Sequence, residues 1–571
     1  MRLCISNKPV KTLALAAAVS LVAACGGGRG EGSAAAAAAT AATSATPIVD
    51  ASPSAGQVKP VAVTKMSSYA AARATDQVSF GATPALVAEL QQQGLPAWIE
   101  GQLALPVSEI TPPPWVIDFD VNNSDGQTRA NNFNVEEFWR RALVAPDQLR
   151  HRLAWSLFEF IPVSMGQAYM RLDHQNLLLR KAFGNYGDFL RELSIHPSMG
   201  WYLNNNINRP TTTQCPQCTP NENFARELMQ LFTLGVVQLN GDGSTVRDAQ
   251  GKAKETYTQK DVEEMARALT GWRIAPSLTP LPGSNFTNAG KLMVPETQAS
   301  QHDRGAKTML GTAFVAGNDA YQDLDAVIAV LMKHPNIAPF VSLRLIQHLV
   351  TSNPSPQYTA RVAAVFRNNG QGVAGDMKAL IRAVLLDAEA RRGDQPGADT
   401  SSFGKLREPV LWSTATQRGL GCKEILHGPG GYTVTPGNQN PLSPPSIFSF
   451  YQAGDRAPGS NLLAPEQKLL TTDELTNRLG TLSYQLLDPN RNITNTTQSG
   501  CDVATLGQAF SKSPKDLIDL ISTRWFRGAM PPTLRTNLTA LAASQTWDSP
   551  DRAAMVLLQF ALSTPYFGVI K

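Results

Sequence analysis

Three groups of residues in this 571-residue chain have types and spacings that could do chemistry. One is a run of charges in a single short stretch, Glu222, Arg226 and Glu227. The next is His302-Asp303 with Lys307 close behind. The last is the cysteines, Cys25 and then Cys215, Cys218, Cys422 and Cys501. On a helical wheel Phe224, Leu228, Leu231 and Phe232 form an apolar stripe, with Glu222, Arg226 and Gln230 opposite. Glu227 falls between Leu231 and Leu234, at the edge of the stripe. A carboxylate there must be paired or hydrogen-bonded, or its pKa must rise. It is therefore either a strut tying this helix to a neighbour or a general acid or base. Glu222 is the other acid–base candidate on the helix, and Arg226 would orient it or bind an anion. His302 and Asp303 can also handle protons, with Lys307 binding substrate. The competing reading is a turn in which Asp303 accepts backbone amides and Lys307 is solvated. One His-Asp pair falls far short of a metal set, and no metal or cofactor is expected.

Behind these residues stand the elements that must hold them. Asn221 is placed to cap a helix and Gly235 to stop it. Glu222 and Arg226 have the favourable i,i+4 order. Asn240 to Gly243 reads as a turn between short strands and lacks the spacing of a calcium loop. Thr258 caps a second helix whose third residue is Asp261, with Val262, Met265, Ala266 and Leu269 buried. Thr83-Pro84 and Ser355-Pro356 are cap-plus-proline starts. The 3.6 period predicts helices over Asp323 to Met332, Ile337 to Val350, Pro356 to Phe366, Met377 to Leu386 and Ala553 to Leu562. His151, His174 and His196 read as capping or packing histidines. Residues 274–320 form a non-helical insertion. Residues 421–465 are Gly/Pro-rich and include His427-Gly428-Pro429-Gly430-Gly431, without the sequence of a phosphate loop. Phe448, Phe450 and Tyr451 are expected to pin that segment to the core. The fold class is mainly α: a large multi-helix domain over 66–571 with small β-hairpin insertions, in two lobes, 66–310 and 311–571.

The N-terminus reads as an address. Arg2, Lys8 and Lys11 precede the apolar run Leu13 to Val22, which is too short to span a bilayer. It ends in Val22-Ala23-Ala24-Cys25, which resembles a bacterial lipobox. Residues 1–24 would be the signal peptide and Cys25 the lipidated residue, and Gly26 is compatible with export to an outer membrane. Residues 25–65 are a Gly/Ala/Ser/Thr-rich tether, about 40 residues with a reach of roughly 35 Å. Removing the signal segment lowers the formal charge of +4 by three. A chain so near neutral has no electrostatic footprint for nucleic acid, and its expected membrane contact is the lipid. Cys215, Cys218, Cys422 and Cys501 are an even set in an oxidising compartment, with three connectivities open. Cys215-Pro216-Gln217-Cys218 has redox-motif spacing but lies in a Thr/Pro-rich loop. A structural disulfide is its first reading, and Cys422 with Cys501 would staple distant loops.

The run Asn221 to Gly235, then Tyr257-Thr258, Asp261-Val262 and Ala268-Leu269-Thr270-Gly271-Trp272, resembles the signature of a bacterial family catalogued as domain of unknown function 1800. The likeness extends through His302 to Gly311, Asn336 to Ser355 and Asp387 to Arg391. It implies a helical fold and an envelope address and carries no catalytic residues. Members are encoded beside another secreted protein, which implies an exported partner. Two classes of function follow. One is an envelope-anchored acid–base enzyme, hydrolase- or lyase-type, acting on an extracellular or envelope polymer. The other is a non-catalytic surface protein that binds or helps assemble an exported partner. Neither Gly-x-Ser-x-Gly nor His-Glu-x-x-His occurs.

Overall fold

The structure is a computed structural model. It describes residues 65–571 apart from 114–115, 117–123, 165, 167, 276–289, 399–401, 425–437 and 481–499. The signal segment, Cys25, all but the last residue of the tether, and His427 to Gly431 lie outside the described residues.

Local signals set the helix starts. Thr83 accepts the Leu86 amide at 3.1 Å ahead of Pro84, and Ser355 accepts that of Tyr358 at 3.1 Å ahead of Pro356. Thr258 and Asp261 cap one another reciprocally, so two free amides of that helix are satisfied at once. The predicted helices stand at Ala320–Lys333, Ile337–Leu349, Pro356–Arg367, Met377–Leu386 and Pro550–Leu562. Strand content among the described residues is small: three antiparallel pairs of two strands each, one of them the Lys307–Met309 and Thr312–Phe314 hairpin. Gly243 has a left-handed φ of +80° in the expected turn, where Asn240 donates to the Ser244 carbonyl.

The apolar core does not divide near residue 310. Leu228, Met265 and Leu269 share one cluster with Met309, Leu324, Leu331 and Leu345. The expected lobe boundary is therefore corrected: helices on both sides of residue 310 bury their stripes against one another. A separate, smaller cluster gathers Trp412, Leu420, Leu517, Ile521, Leu558 and Phe567. Cys422 and Cys501 are paired at its edge, and Cys215 is paired with Cys218. Among the described residues, no single helix is long and apolar enough to cross a membrane.

A buried ionic clasp joins the first helix, Ser68–Val78, to the C-terminal part of the chain. Asp76 accepts from Arg407 at 2.9 Å and from Arg527 at 2.8 Å. Arg73 reaches the Lys571 carbonyl at 2.7 Å and the Asp394 carboxylate at 2.7 Å. Burial alone would raise the Asp76 carboxyl, but Arg407 and Arg527 overcome it and hold the pKa at about 2. A folded-state value below the unfolded one adds stability that is complete above 3.8 and is lost as the pH falls towards about 2. Asp76→Asn strands two buried cations and is expected to cost about 3–5 kcal/mol. Denaturant midpoints at neutral pH measure that loss. The variant should also lack the acid-dependent part of the wild-type stability curve between those two pH values.

Candidate functional site: a cleft over a buried carboxyl pair

Asn221 caps the Glu222–Gln230 helix, accepting the Asn223 amide at 2.9 Å; the helix ends at Gln230, ahead of the expected stop at Gly235, whose φ is +75° and whose amide donates to the Met229 carbonyl at 3.1 Å. Glu227 is buried, and its Oε2 has no hydrogen-bond partner. Burial raises its pKa, opposed only by the nearby Arg226 charge. Glu222 and Arg226 lie elsewhere. They pair at 2.7 Å on the half-exposed face and share Gln259 of the next helix at 2.9 and 3.0 Å. That trio is a surface tie of small energy rather than an acid–base set.

The second sequence-predicted group is a closed strut. Asp303 takes two hydrogen bonds from Arg267, at 2.8 and 3.1 Å, and the Gly305 amide at 2.8 Å. Burial would raise the Asp303 carboxyl, but Arg267 outweighs it and holds the pKa low. Lys307 is not solvated: it is buried and pairs with Asp323 at 2.6 Å. His302 Nδ1 is 2.9 Å from the Thr270 carbonyl and Nε2 is 3.2 Å from Asp323. Each charge that sequence reading left open is met by Arg267 or Asp323, from helices on either side. Among the described residues, no hydrogen bond or ion pair joins Glu227 to His302, Asp303 or Lys307. The six residues that the sequence singles out are thus a buried acid, Glu227, a surface tie of Glu222 with Arg226, and a structural clamp of His302, Asp303 and Lys307.

A serine, a histidine and an aspartate also align. Ser198 Oγ is 2.6 Å from His196 Nδ1, and His196 Nε2 is 3.1 Å from Asp173. Ser198 and His196 are wholly buried, and the Ser198 amide also donates to Nδ1 at 3.3 Å. The arrangement caps the Pro197–Tyr202 helix and offers no reachable nucleophile. Among the described residues, no group of three or more His, Cys, Asp or Glu could hold a metal ion.

The arrangement most suited to chemistry is a cleft of about 270 Å³. Gln230 and Leu231, at the end of the Glu222–Gln230 helix, form part of its wall. Phe340, Arg344 and His348 line it at four-residue spacing along one face of the Ile337–Leu349 helix. Glu159, Phe160, Phe448 and Tyr451 complete it.

Glu159 ends the Gln148–Phe158 helix, and Glu408 precedes the first turn of the Pro409–Gly419 helix. The Nε2 of Gln439 lies 3.2 Å from both carboxyls, and its Oε1 accepts the Val410 amide at 2.9 Å, which fixes the amide's orientation. Glu408 also accepts from Trp155 Nε1 and from the Tyr451 hydroxyl, each at 2.8 Å. Burial first, and then the Glu408 charge, push the Glu159 carboxyl well above the usual carboxylate range. Burial opposes ionisation of Glu408 too, but Lys405, Arg152 and the hydrogen bonds from Trp155 and Tyr451 overcome it and hold it ionised. Glu159 Oε2 has no partner of good geometry, although the Tyr451 hydroxyl is close enough to temper its pKa. Burial, followed by Lys405, Arg152 and Arg344, drives the His348 pKa well down, so its imidazole is neutral at pH 7. The ring is sandwiched between Phe160 and Tyr451 at centroid distances of 5.9 and 6.2 Å. A carboxyl whose pKa is raised and an imidazole whose pKa is lowered thus line one cleft, which is the pairing that acid–base catalysis uses. Sequence reading missed Glu159, Glu408, Arg344 and His348. The spacing of Phe340, Arg344 and His348 is the one signal that was available.

The molecule is thus a mainly helical protein with a solvent-reachable cleft over buried, oppositely tuned titratable groups. Residues 73–569 match the family described as "Protein of unknown function (DUF1800)", and the chain belongs to that family. No curated protein and no solved structure matches it.

The unpaired Glu227 carboxyl has a measurable consequence. Its raised pKa is a stability cost, absent where folded and unfolded chains are both protonated. The cost grows as the pH rises above 4.5, until the folded-state carboxyl itself ionises. Glu227→Met should therefore stabilise the protein at neutral pH, by about 1–3 kcal/mol. The gain should shrink towards about pH 4. Thermal melts across that range test it, and a gain independent of pH would contradict the assignment.

Proposed function

We propose that this chain is a lipid-anchored cell-envelope enzyme that carries out acid–base chemistry, of the hydrolase or lyase type, on an extracellular or envelope polymer. The cleft of Glu159 and His348 is where it acts. The observation that carries this reading is Glu159 itself: a buried carboxyl with an unpaired oxygen, on the wall of an open cleft. A carboxylic acid kept neutral at pH 7 can give its proton to a leaving-group oxygen. Once deprotonated, Glu159 would stand beside ionised Glu408, and the repulsion returns a proton to it for the next cycle. Neutral His348 can take a proton from water or from substrate. Exposed Phe448 at the mouth suits a polymer that lies across the cleft. The lipobox-like Val22 to Cys25 and the tether support the address.

The alternative is a non-catalytic surface protein that works with another exported protein. What favours it is the pairing of Asp303 with Arg267 and of Lys307 with Asp323, since charges that looked catalytic there are held in structural ion pairs.

A turnover screen on the full-length chain against extracellular polysaccharides and peptidoglycan separates the two. Glu159→Gln should lower kcat by about 10²–10⁴-fold while substrate binding persists, and His348→Asn should behave alike. Equal turnover in all three proteins would remove the site, and no turnover on any polymer would favour the binding role.

A further inference from the structure

The cleft contains a cation, Arg344, that no carboxylate among the described residues pairs with. Arg344 lies over the Phe340 ring at 5.1 Å and donates to Gln347 Oε1 at 2.8 Å. Among the described residues no carboxylate lies within ion-pair distance of it. Burial alone lowers its pKa, to about 10, and no neighbouring charge contributes. Other arginines of the interior differ. Arg407 pairs with Asp76 at 2.9 Å; Arg418 has no carboxylate partner either, but its guanidinium donates to the Gly81 carbonyl at 2.7 Å and the Ala142 carbonyl at 3.1 Å, whereas among the described residues no backbone carbonyl accepts from Arg344. Burial disfavours the charged forms of the cleft-lining Glu159 and His348, which leaves Arg344 as the fixed charge of the lining. A desolvated guanidinium with free N–H groups matches a carboxylate, which it can bind with two parallel hydrogen bonds.

We infer that the cleft binds an acidic polysaccharide, with a uronate carboxylate of the sugar paired to Arg344. This rests on the reading of the cleft as an active site and names its substrate class. The sugar assignment draws on the exposed Phe448 ring and on the Gln230 and Gln452 amides, which offer a stacking face and hydroxyl partners. Pairing of the carboxylate with Arg344 acidifies the adjacent sugar C–H. A β-elimination then follows with atoms and electrons in balance. His348 takes that C5 proton and the C–H electrons form the C4=C5 bond. The C4–O bond breaks, and Glu159 gives its proton to the departing oxygen. Proton return from His348 to Glu159 restores both groups, and no co-reactant is consumed.

The experiment uses the full-length chain and its Glu159→Gln, Arg344→Gln and Arg344→Lys variants, with polygalacturonate oligomers, their methyl esters and poly-glutamate as probes. Calorimetry on the Glu159→Gln background should show the acidic oligomer bound at least about thirtyfold more weakly once Arg344 is Gln, and partly rescued by Lys. The ester should bind equally with or without Arg344. Turnover should produce the ultraviolet absorbance of an unsaturated uronate. Equal binding of acid and ester, indifference to Arg344→Gln, or Arg344-dependent binding of poly-glutamate alone would overturn the inference. Turnover of a neutral polymer that depends on Glu159 but not on Arg344 would overturn it while leaving the enzyme reading intact. Arg344-dependent binding of the acidic oligomer without cleavage would sustain the ligand class and sink the catalytic reading. Because Arg344 holds no carboxylate partner, its loss should leave the melting temperature unchanged or higher, so a folding failure is distinguishable.

Discussion

Two carboxyl groups at opposite poles of two helices share a single side-chain amide, and the cleft depends on that arrangement. Glu408 stands at the start of the Pro409–Gly419 helix, where the helix dipole favours negative charge. Glu159 stands at the end of the Gln148–Phe158 helix, where the dipole opposes it. Lys405 and Arg152 reinforce the same bias by stabilising Glu408. With both groups buried, one negative charge can be accommodated far more easily than two. Backbone geometry thus selects which carboxyl ionises, and the one left protonated is the one on the cleft wall.

The surrounding fold serves that asymmetry. Arg152 and Lys405 both donate to the His348 carbonyl, at 2.7 and 3.1 Å. The cations that hold Glu408 ionised therefore also fix the backbone of the histidine that lines the cleft. Lys405 further pairs with buried Glu466 at 3.1 Å. Gln439 and Tyr451 come from the long Gly/Pro-rich segment, and both close on Glu408. These hydrogen bonds to a buried charge hold the described part of that segment, residues 438–465, against the core. Phe450 and Tyr451 are buried as anchors, while Phe448 stays 41% exposed at the mouth.

Much of the fold could be read from the chain because its signals are local. A serine or threonine before proline, a reciprocal cap and a 3.6-residue apolar period need no tertiary information. The burial of Glu227 was legible for the same reason, since the wheel places it beside Leu231. Ion partners are not local. The turn reading left Lys307 solvated because Asp323 arrives from the following helix, and it gave Asp303 its backbone amide but not Arg267, which arrives from the preceding one. Glu159 was harder still. It follows Phe158 at a helix end, where periodicity no longer distinguishes inside from outside, and Gln439 lies 280 residues away.

The contrast between the clamp and the cleft carries the functional argument. In the clamp, Asp303 pairs with Arg267 and Lys307 with Asp323, while His302 Nε2 lies 3.2 Å from Asp323 without a hydrogen bond. Around the cleft the opposite holds: Glu159 keeps an unpaired oxygen and Arg344 keeps an unmatched charge, while Glu227, one turn before the cleft-lining Gln230 and Leu231, also keeps an unpaired oxygen. Each departure costs stability, and apolar residues of similar volume could fill all three positions. Local conflicts of this kind are expected where a site must stay ready for something the protein itself does not contain. Entry of a carboxylate would pair Arg344 and give the region the charge balance that the clamp already has.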